Sequence, residues 1–219
     1  MVVLDTHNMT SVAHSNLTGA FPYTAANGDQ YIFMMYSWDA NAILLECMKS
    51  RNDAEMMQVY QTCYEKLERR GIKPTINVMD NEASAEIKRW LGKQNITYQL
   101  TSVDNHRTNV AERCIETAKH HIIAGLATTD GDFPIRQWNK LIPQAQHTLN
   151  MLRPTRINPR LSAFAFLEGM HSYDAVPFTP PGWKVLVYED PTRRSSWDPH
   201  GIEGWYVAPA LENYRNYKC

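Results

Sequence analysis

Two acids in this chain stand where chemistry could be done. The first closes the stretch TINVMDNEAS (75–84), in which Ile76, Val78 and Asp80 alternate with Asn77 and Met79. Period-two alternation predicts a strand, so Asp80 shares a face with Ile76 and Val78 and ends that face in a carboxylate. The second is Glu112, in a segment that begins near Thr108 or Asn109 and runs to about Thr128. Its apolar stripe, Ala111, Ile115, Ala118, Ile122 and Leu126, predicts a long helix. At about 100° per residue Glu112 lies roughly 80° from the centre of that stripe, at its border. Lys119 is seven residues on, roughly 20° away around the helix and about 10 Å along it. An acid at a strand end, an acid at a helix border and a cation two turns further suit a metal ion and a phosphate. Each acid also has an ordinary reading. Asn109 with Glu112 three residues later matches a helix capping box, and spacing alone favours that cap. An acid after a strand is often a turn or helix-start residue.

The totals limit the alternatives. A chain of 219 residues, 43% hydrophobic and 11% aromatic, makes one large domain, or one domain with a small appendage. It has no run of about 18 apolar residues, so no membrane-spanning helix is expected. The N-terminus has neither a basic start nor an apolar stretch of secretory type. Cys47, Cys63, Cys114 and Cys219 are scattered. Without a CxxC or paired His/Cys spacing they argue against structural zinc and for reduced, intracellular thiols. The net charge is −1, and no segment is strongly basic: residues 1–50 carry one basic and four acidic groups, 51–150 thirteen and twelve, 151–219 eight and seven. Any nucleic-acid contact must therefore come from local clusters.

The elements that would position these groups follow from the pattern. SVAHSN (11–16) alternates, with Val12, His14 and Asn16 on one face. QYIFMMYSWD (30–39) and NAILLECMK (41–49) read as a β-hairpin. Asn52 with Glu55 opens a helix whose stripe is Met57, Tyr60, Tyr64 and Leu67, and Gly71 and Pro74 end it. ASAEIKRWLGKQ (83–94) reads as a short helix that turns Ile87, Trp90 and Leu91 inward, and ITYQLTS (96–102) is a strand. A helix from Pro134 to Leu152 buries Trp138, Leu141, Ala145 and Leu149, and SAFAFLEG (162–169) is another. The alternation of strands and helices predicts an α/β fold with a mixed sheet and helices on both faces. Beyond the Pro-rich VPFTPPGW, KVLVYED and GWYVAPALENY suggest a small β module. The expected division is an extension at 1–10, a core at 11–175 and this module at 176–219.

Four stretches carry a resemblance: DNEAS, DNHRTNVAERCIETAKHHIIAGLAT, LIPQAQHTLNMLRPTRINPRLSAFAFLEG and HGIEGWYVAPALENYR. They resemble the integrase core of copia-type LTR retrotransposon polyproteins, nearest to the subgroup abundant in diatoms and other algae. HSNLTGAFP fits the start of that core. The resemblance implies a ribonuclease H-like fold and an Asp, Asp, Glu triad holding two Mg²⁺ (or Mn²⁺) ions. It implies DNA 3′-end processing and strand transfer on double-stranded DNA, a nuclear site of action and a possible homo-oligomer. The second acid maps onto Asp80 and the third onto Glu112, with 31 residues between them.

The first acid does not carry over, because Asn16 stands in its place. A neutral amide brings no charge and cannot bridge two cations well, so weak metal binding and impaired activity are expected. The alternative is a non-catalytic DNA-binding or assembly remnant. Asp5 and Asp39 are poor substitutes by position. His106, Arg107 and Asn109 either touch DNA by resemblance or form a polar loop with a cap. Lys119 contacts a phosphate or flanks the helix in solvent. Arg153, Arg156 and Arg160 track a backbone or lie in a solvated loop. Arg193 and Arg194 with Trp197 suit phosphate and stacking contacts, or a turn over a core tryptophan. His120 and His121 read as surface or partly packed groups. By resemblance the chain is also expected to lack a preceding His/Cys zinc module and to stop within its β module.

Overall fold

Three strands come first: β1 (Val12–Leu17), β2 (Tyr31–Ser37) and β3 (Ala42–Met48). In the computed structural model, which describes residues 10–80, 84–101, 110–213 and 215–219, they form an antiparallel meander. The β2–β3 turn places Asn41 at φ 50, a left-handed conformation that Asn tolerates. Helix α1 (Asp53–Glu68) follows, then β4 (Ile76–Met79), α2 (Ala85–Lys93) and β5 (Thr97–Leu100). Strand β4 pairs parallel with β1, and β5 parallel with β4. The result is a five-stranded mixed sheet in the order β3-β2-β1-β4-β5.

Both faces of the sheet are covered, which explains why YIFMMY reads as a continuous apolar run. Ala13, Phe33, Met35, Leu44 and Met79 pack against α1 and α2. Met34, Tyr36, Ile43 and Leu45 pack on the other side against α3 (Val110–Ala127) and α4 (Ile142–Met151). The expected stripes hold: Tyr60, Tyr64 and Leu67 of α1, and Ile115 and Ala118 of α3, are buried. The expected capping box at α1 is half made. Asn52 Oδ1 accepts the Glu55 N–H at 2.8 Å, while Glu55 turns back to accept the N–H groups of Lys49 and Ser50.

The helix expected from Pro134 to Leu152 is in two parts. A 3-10 segment spans Ile135–Leu141, and α4 starts only at Ile142, with Pro143 in its first turn. Proline has no N–H to give to the carbonyl four residues back, so an α-helix can start there but cannot run through it. Helix α4 then does something the apolar pattern does not announce. Gln146 Oε1 accepts the Leu45 N–H at 2.6 Å. Asn150 accepts from Ile43 N–H and donates to Ile43 O, both at 2.8 Å. These side chains satisfy the open edge of β3 and block further strand pairing there.

After the short helix α5 (Ala163–Leu167) come β6 (Lys184–Tyr188) and β7 (Gly201–Trp205), an antiparallel pair, and then β8 (Ala208–Pro209) and β9 (Tyr217–Lys218). The single strand expected from GWYVAPALENY is split between β7 and β8. Gly182, at φ +74, lies so close to Thr129 that an added Cβ would meet its methyl at 2.5 Å. Its carbonyl accepts the Asp130 N–H, and Trp183 Nε1 donates to Thr128 O, both at 3.0 Å. These contacts fasten the β6–β7 pair to the end of α3.

Candidate active site

The β1–β4 ladder sets the site. Val12, Ala13 and His14 lie opposite Ile76, Asn77 and Val78. Carried on by two residues, this register places Asn16 beside Asp80, on strands about 4.8 Å apart. Alternation gives Asn16 the same face as His14, whose ring lies 6.2 Å from Tyr36 on the α3 side. Asp80 follows β4 at its carboxyl end, where open α/β sheets bind ligands. Asn16 and Asp80 line one cleft of about 310 Å³.

A hydrogen-bonded group lies under this cleft. The hydroxyls of Ser15 and Tyr60 are in direct contact. Asn77 Nδ2 donates to Ser15 Oγ at 3.1 Å and to Tyr60 OH at 3.4 Å. One residue each from β1, β4 and α1 is thereby tied together beneath Asn16. Burial pushes the Tyr60 phenol up to about 12, against the lowering effect of its bonds to Ser15 and Asn77. Tyr60 is therefore a neutral structural donor and acceptor rather than a proton-transfer group.

The orientation of Asn16 is fixed by its own chain. The Leu17 N–H donates to Asn16 Oδ1 at 2.7 Å. A backbone N–H needs an acceptor, so this bond fixes which end of the amide is the oxygen. Two further charged side chains line the same cleft, Arg51 and Asp53. In the sequence this stretch reads only as a helix cap. Its nearest signal was Arg51 just before a capped helix, and only the fold carries that helix end to the ends of β1 and β4.

Glu112 sits in the first turn of α3, half-buried. It lines a separate groove with Arg113, Glu116, Lys119 and His120. Glu112 and Lys119 thus share one edge of α3, as their spacing predicts, but Glu112 does not line the cleft of Asn16 and Asp80. Lys119 also borders the segment Thr18–Tyr23. His106, Arg107 and Asn109 lie outside the described residues, as does Asp5. Asp39 is at the opposite end of the sheet, where it accepts the Ser11 N–H at 2.7 Å.

Two of the expectations around the basic groups change, the Arg153–Arg156 linker and the core tryptophan. Arg153 and Arg156 do not form a solvated linker. Arg156 lies 3.7 Å over the Trp38 ring and donates to Tyr36 OH, and Arg153 donates to Asn41 O at 2.9 Å. Both clamp the β2–β3 turn, far from the cleft, because stacked guanidinium groups satisfy its carbonyls. Arg193 lies in a 3-10 turn capped by Asp190, and Arg194 lies 5.9 Å over Tyr188. Trp197 is not a core residue: it is 97% exposed. His120 is exposed, and burial lowers the pKa of half-buried His121.

The described donor set does not fit a two-metal centre. Among the described residues no three His, Cys, Asp or Glu side chains gather to hold an ion. Hard divalent cations need several anionic oxygens, and here the carbonyl oxygen of Asn16 already receives a backbone N–H.

No family model matches the sequence, and no curated protein matches it. Solved structures do resemble it. The magnesium-bound catalytic core of HTLV-2 integrase in its trimeric form superposes with a TM-score of 0.51 at 17% identity, covering 72% of this chain and 95% of that one. A chain of the simian T-cell lymphotropic virus intasome, solved in complex with PP2A regulatory subunit B56 gamma, gives 0.54 at 12% identity, covering 90% and 68%. The catalytic core of BIV integrase gives 0.50 at 12%, covering 72% and 93%. With its mixed five-stranded sheet between flanking helices, the chain has the ribonuclease H-like fold of retroviral integrase catalytic cores.

Proposed function

We propose that this chain is an integrase-like domain of a copia-type retrotransposon polyprotein, acting on double-stranded DNA and impaired at Asn16. The carrying observation is the β1–β4 register through His14 and Val78, which, carried on by two residues, supports a place for Asn16 beside Asp80 at the carboxyl end of the sheet. In this reading Asp80 and Glu112 are the surviving acids for Mg²⁺ or Mn²⁺, and Asn16 is the position where the metal-bridging carboxylate is missing. Lys119 contacts a phosphate along the α3 edge. His106, Arg107 and Asn109 belong to the DNA-contacting loop before it, and Arg193 and Arg194 add contacts from the β6–β7 region. Self-association on DNA and a nuclear site of action follow from the same reading. The 176–219 segment is a separate small module in it.

A second reading, a non-catalytic DNA-binding or assembly remnant, is favoured by the neutral amide of Asn16, whose oxygen already accepts the Leu17 N–H. A substrate panel separates the readings. Asn16→Asp protein is incubated with duplex DNA bearing element-like ends, and with RNA–DNA hybrid, in Mn²⁺. Cleavage of DNA alone supports the integrase reading. Cleavage of the hybrid alone makes the chain a ribonuclease. Binding without cleavage supports the remnant.

A further inference from the structure

The two edges of the five-stranded sheet are not alike. The β3 edge is closed, because Gln146 and Asn150 of α4 occupy the N–H groups of Leu45 and Ile43 and the C=O of Ile43. The β5 edge has no such cover among the described residues. Strand β5 is exposed along its whole length, with Tyr98 at 42% and Leu100 at 41%. Thr97 N–H donates to Thr75 O at 2.8 Å and Thr101 N–H to Met79 O at 3.0 Å. Alternate residues of a parallel strand bond to the same neighbour. Thr97, Gln99 and Thr101 therefore bond towards β4, and the N–H and C=O of Tyr98 and Leu100 face the open edge. Lys88 of α2 lies 5.9 Å over the Tyr98 ring, and by alternation Leu100 shares that face of the sheet. Edge strands are ordinarily protected from pairing by charge, proline or a bulge. The stretch NITYQLTS (95–102) has no charge, no proline and no glycine, and its Ile, Thr and Tyr residues favour extended backbone.

We propose that β5 pairs antiparallel with β5 of a second copy of this chain, about a twofold axis at Gln99, joining two sheets into one. The strand itself selects this occupant, because it is complementary to its own reverse. With the axis at Gln99, Tyr98 of each copy stands opposite Leu100 of the other. These are the residues whose N–H and C=O face out, so they exchange backbone bonds as a hydrogen-bonded pair, with ring against leucine on one face. Gln99 meets Gln99 and Thr97 meets Thr101 in the pairs between, and no like charges oppose each other. The pairing is independent of the nucleic-acid reading and needs no DNA.

The test is sedimentation equilibrium of the whole chain without DNA, from about 5 to about 500 µM, a range that covers a small interface. The natural chain is expected to dimerise reversibly. Gln99→Lys alone and Gln99→Glu alone each set like charges opposite each other across the axis, and each is expected to weaken the dimer by about fivefold. An equal mixture of the two variants is expected to restore it, because the charges are then opposite. Tyr98→Pro removes an outward N–H that β4 does not use, a place where an edge strand tolerates proline, and is expected to weaken the dimer by about tenfold or more. Thermal melts show whether each variant is folded, and the charge pair decides the matter if the proline variant is not. A natural chain that stays monomeric, or a dimer that the Gln99 substitutions leave unchanged, overturns the pairing. So does a mixture that associates no better than either variant alone. Association that appears only on adding duplex DNA also overturns it, while self-association on DNA stands.

Discussion

Asn16 differs from an aspartate by one atom type and one charge. With Oδ1 on the Leu17 N–H, the side chain is neutral and its oxygen already engaged, where a divalent metal needs anionic oxygens. Asn16→Asp should therefore raise Mg²⁺ affinity, and calorimetric titrations of both forms check this; equal titrations would mean that Asn16 is not the defect. Glu112 poses the complementary question, since it lines the α3 groove rather than the cleft. In the Asn16→Asp background, Glu112→Gln should abolish any nicking. Persistent nicking would leave Glu112 as a helix-start residue only.

A second group at this scale titrates. His147 lies against Phe164, with ring centroids 5.2 Å apart. Burial lowers its pKa from 6.5 to about 4, helped by the charges of Lys66, His171 and Lys218. The unfolded chain then binds the proton more tightly than the folded one. Stability is full above about 6.5 and falls as pH drops towards 4, by at most on the order of 3 kcal/mol. Urea unfolding between pH 4 and 7 measures the slope, and His147→Gln should flatten it.

At the scale of elements, the apolar stripes were legible because their partners are the sheet, wherever it lies. The stripe of α1 and the hairpin of β2 and β3 needed only periodicities of 3.6 and 2. The polar contacts of α4 were not legible. Gln146 and Asn150 reach Leu45 and Ile43, about a hundred residues earlier in the chain, and nothing local marks a glutamine as the cover of a strand edge. Asn150→Leu should leave the N–H and C=O of Ile43 buried and unpaired. It should cost about 2–4 kcal/mol, measured by chemical denaturation. The break before α4 was readable from Pro143, but a helix can start or kink at proline, and only packing decides which. Arg153 and Arg156 looked like a basic linker because charge patterning cannot see the rings of Tyr36 and Trp38 beneath them.

For the whole molecule, the order of strands and helices predicted a mixed sheet covered on both faces, and β3-β2-β1-β4-β5 is such a sheet. Asp80 was placed at a strand end from local pattern alone. Its place beside Asn16 follows only when the β1–β4 register is carried on by two residues past His14 and Val78. Arg51 and Asp53 were missed because their relation to β1 and β4 exists only after the chain has folded. The buried contacts among Ser15, Tyr60 and Asn77 hold three elements together under the cleft. Tyr60→Phe should lower stability by about 1–2 kcal/mol without changing the fold, which urea unfolding with near-UV circular dichroism would show.

The proposed function takes an integrase-type scaffold to be disabled at one position, Asn16. A nicking and strand-transfer assay in Mg²⁺ and Mn²⁺, comparing the natural chain with Asn16→Asp, tests it most directly. Activity is expected in the Asp form alone. Comparable activity in the natural chain would contradict it, because a site built with Asn16 would then hold its metals without the carboxylate.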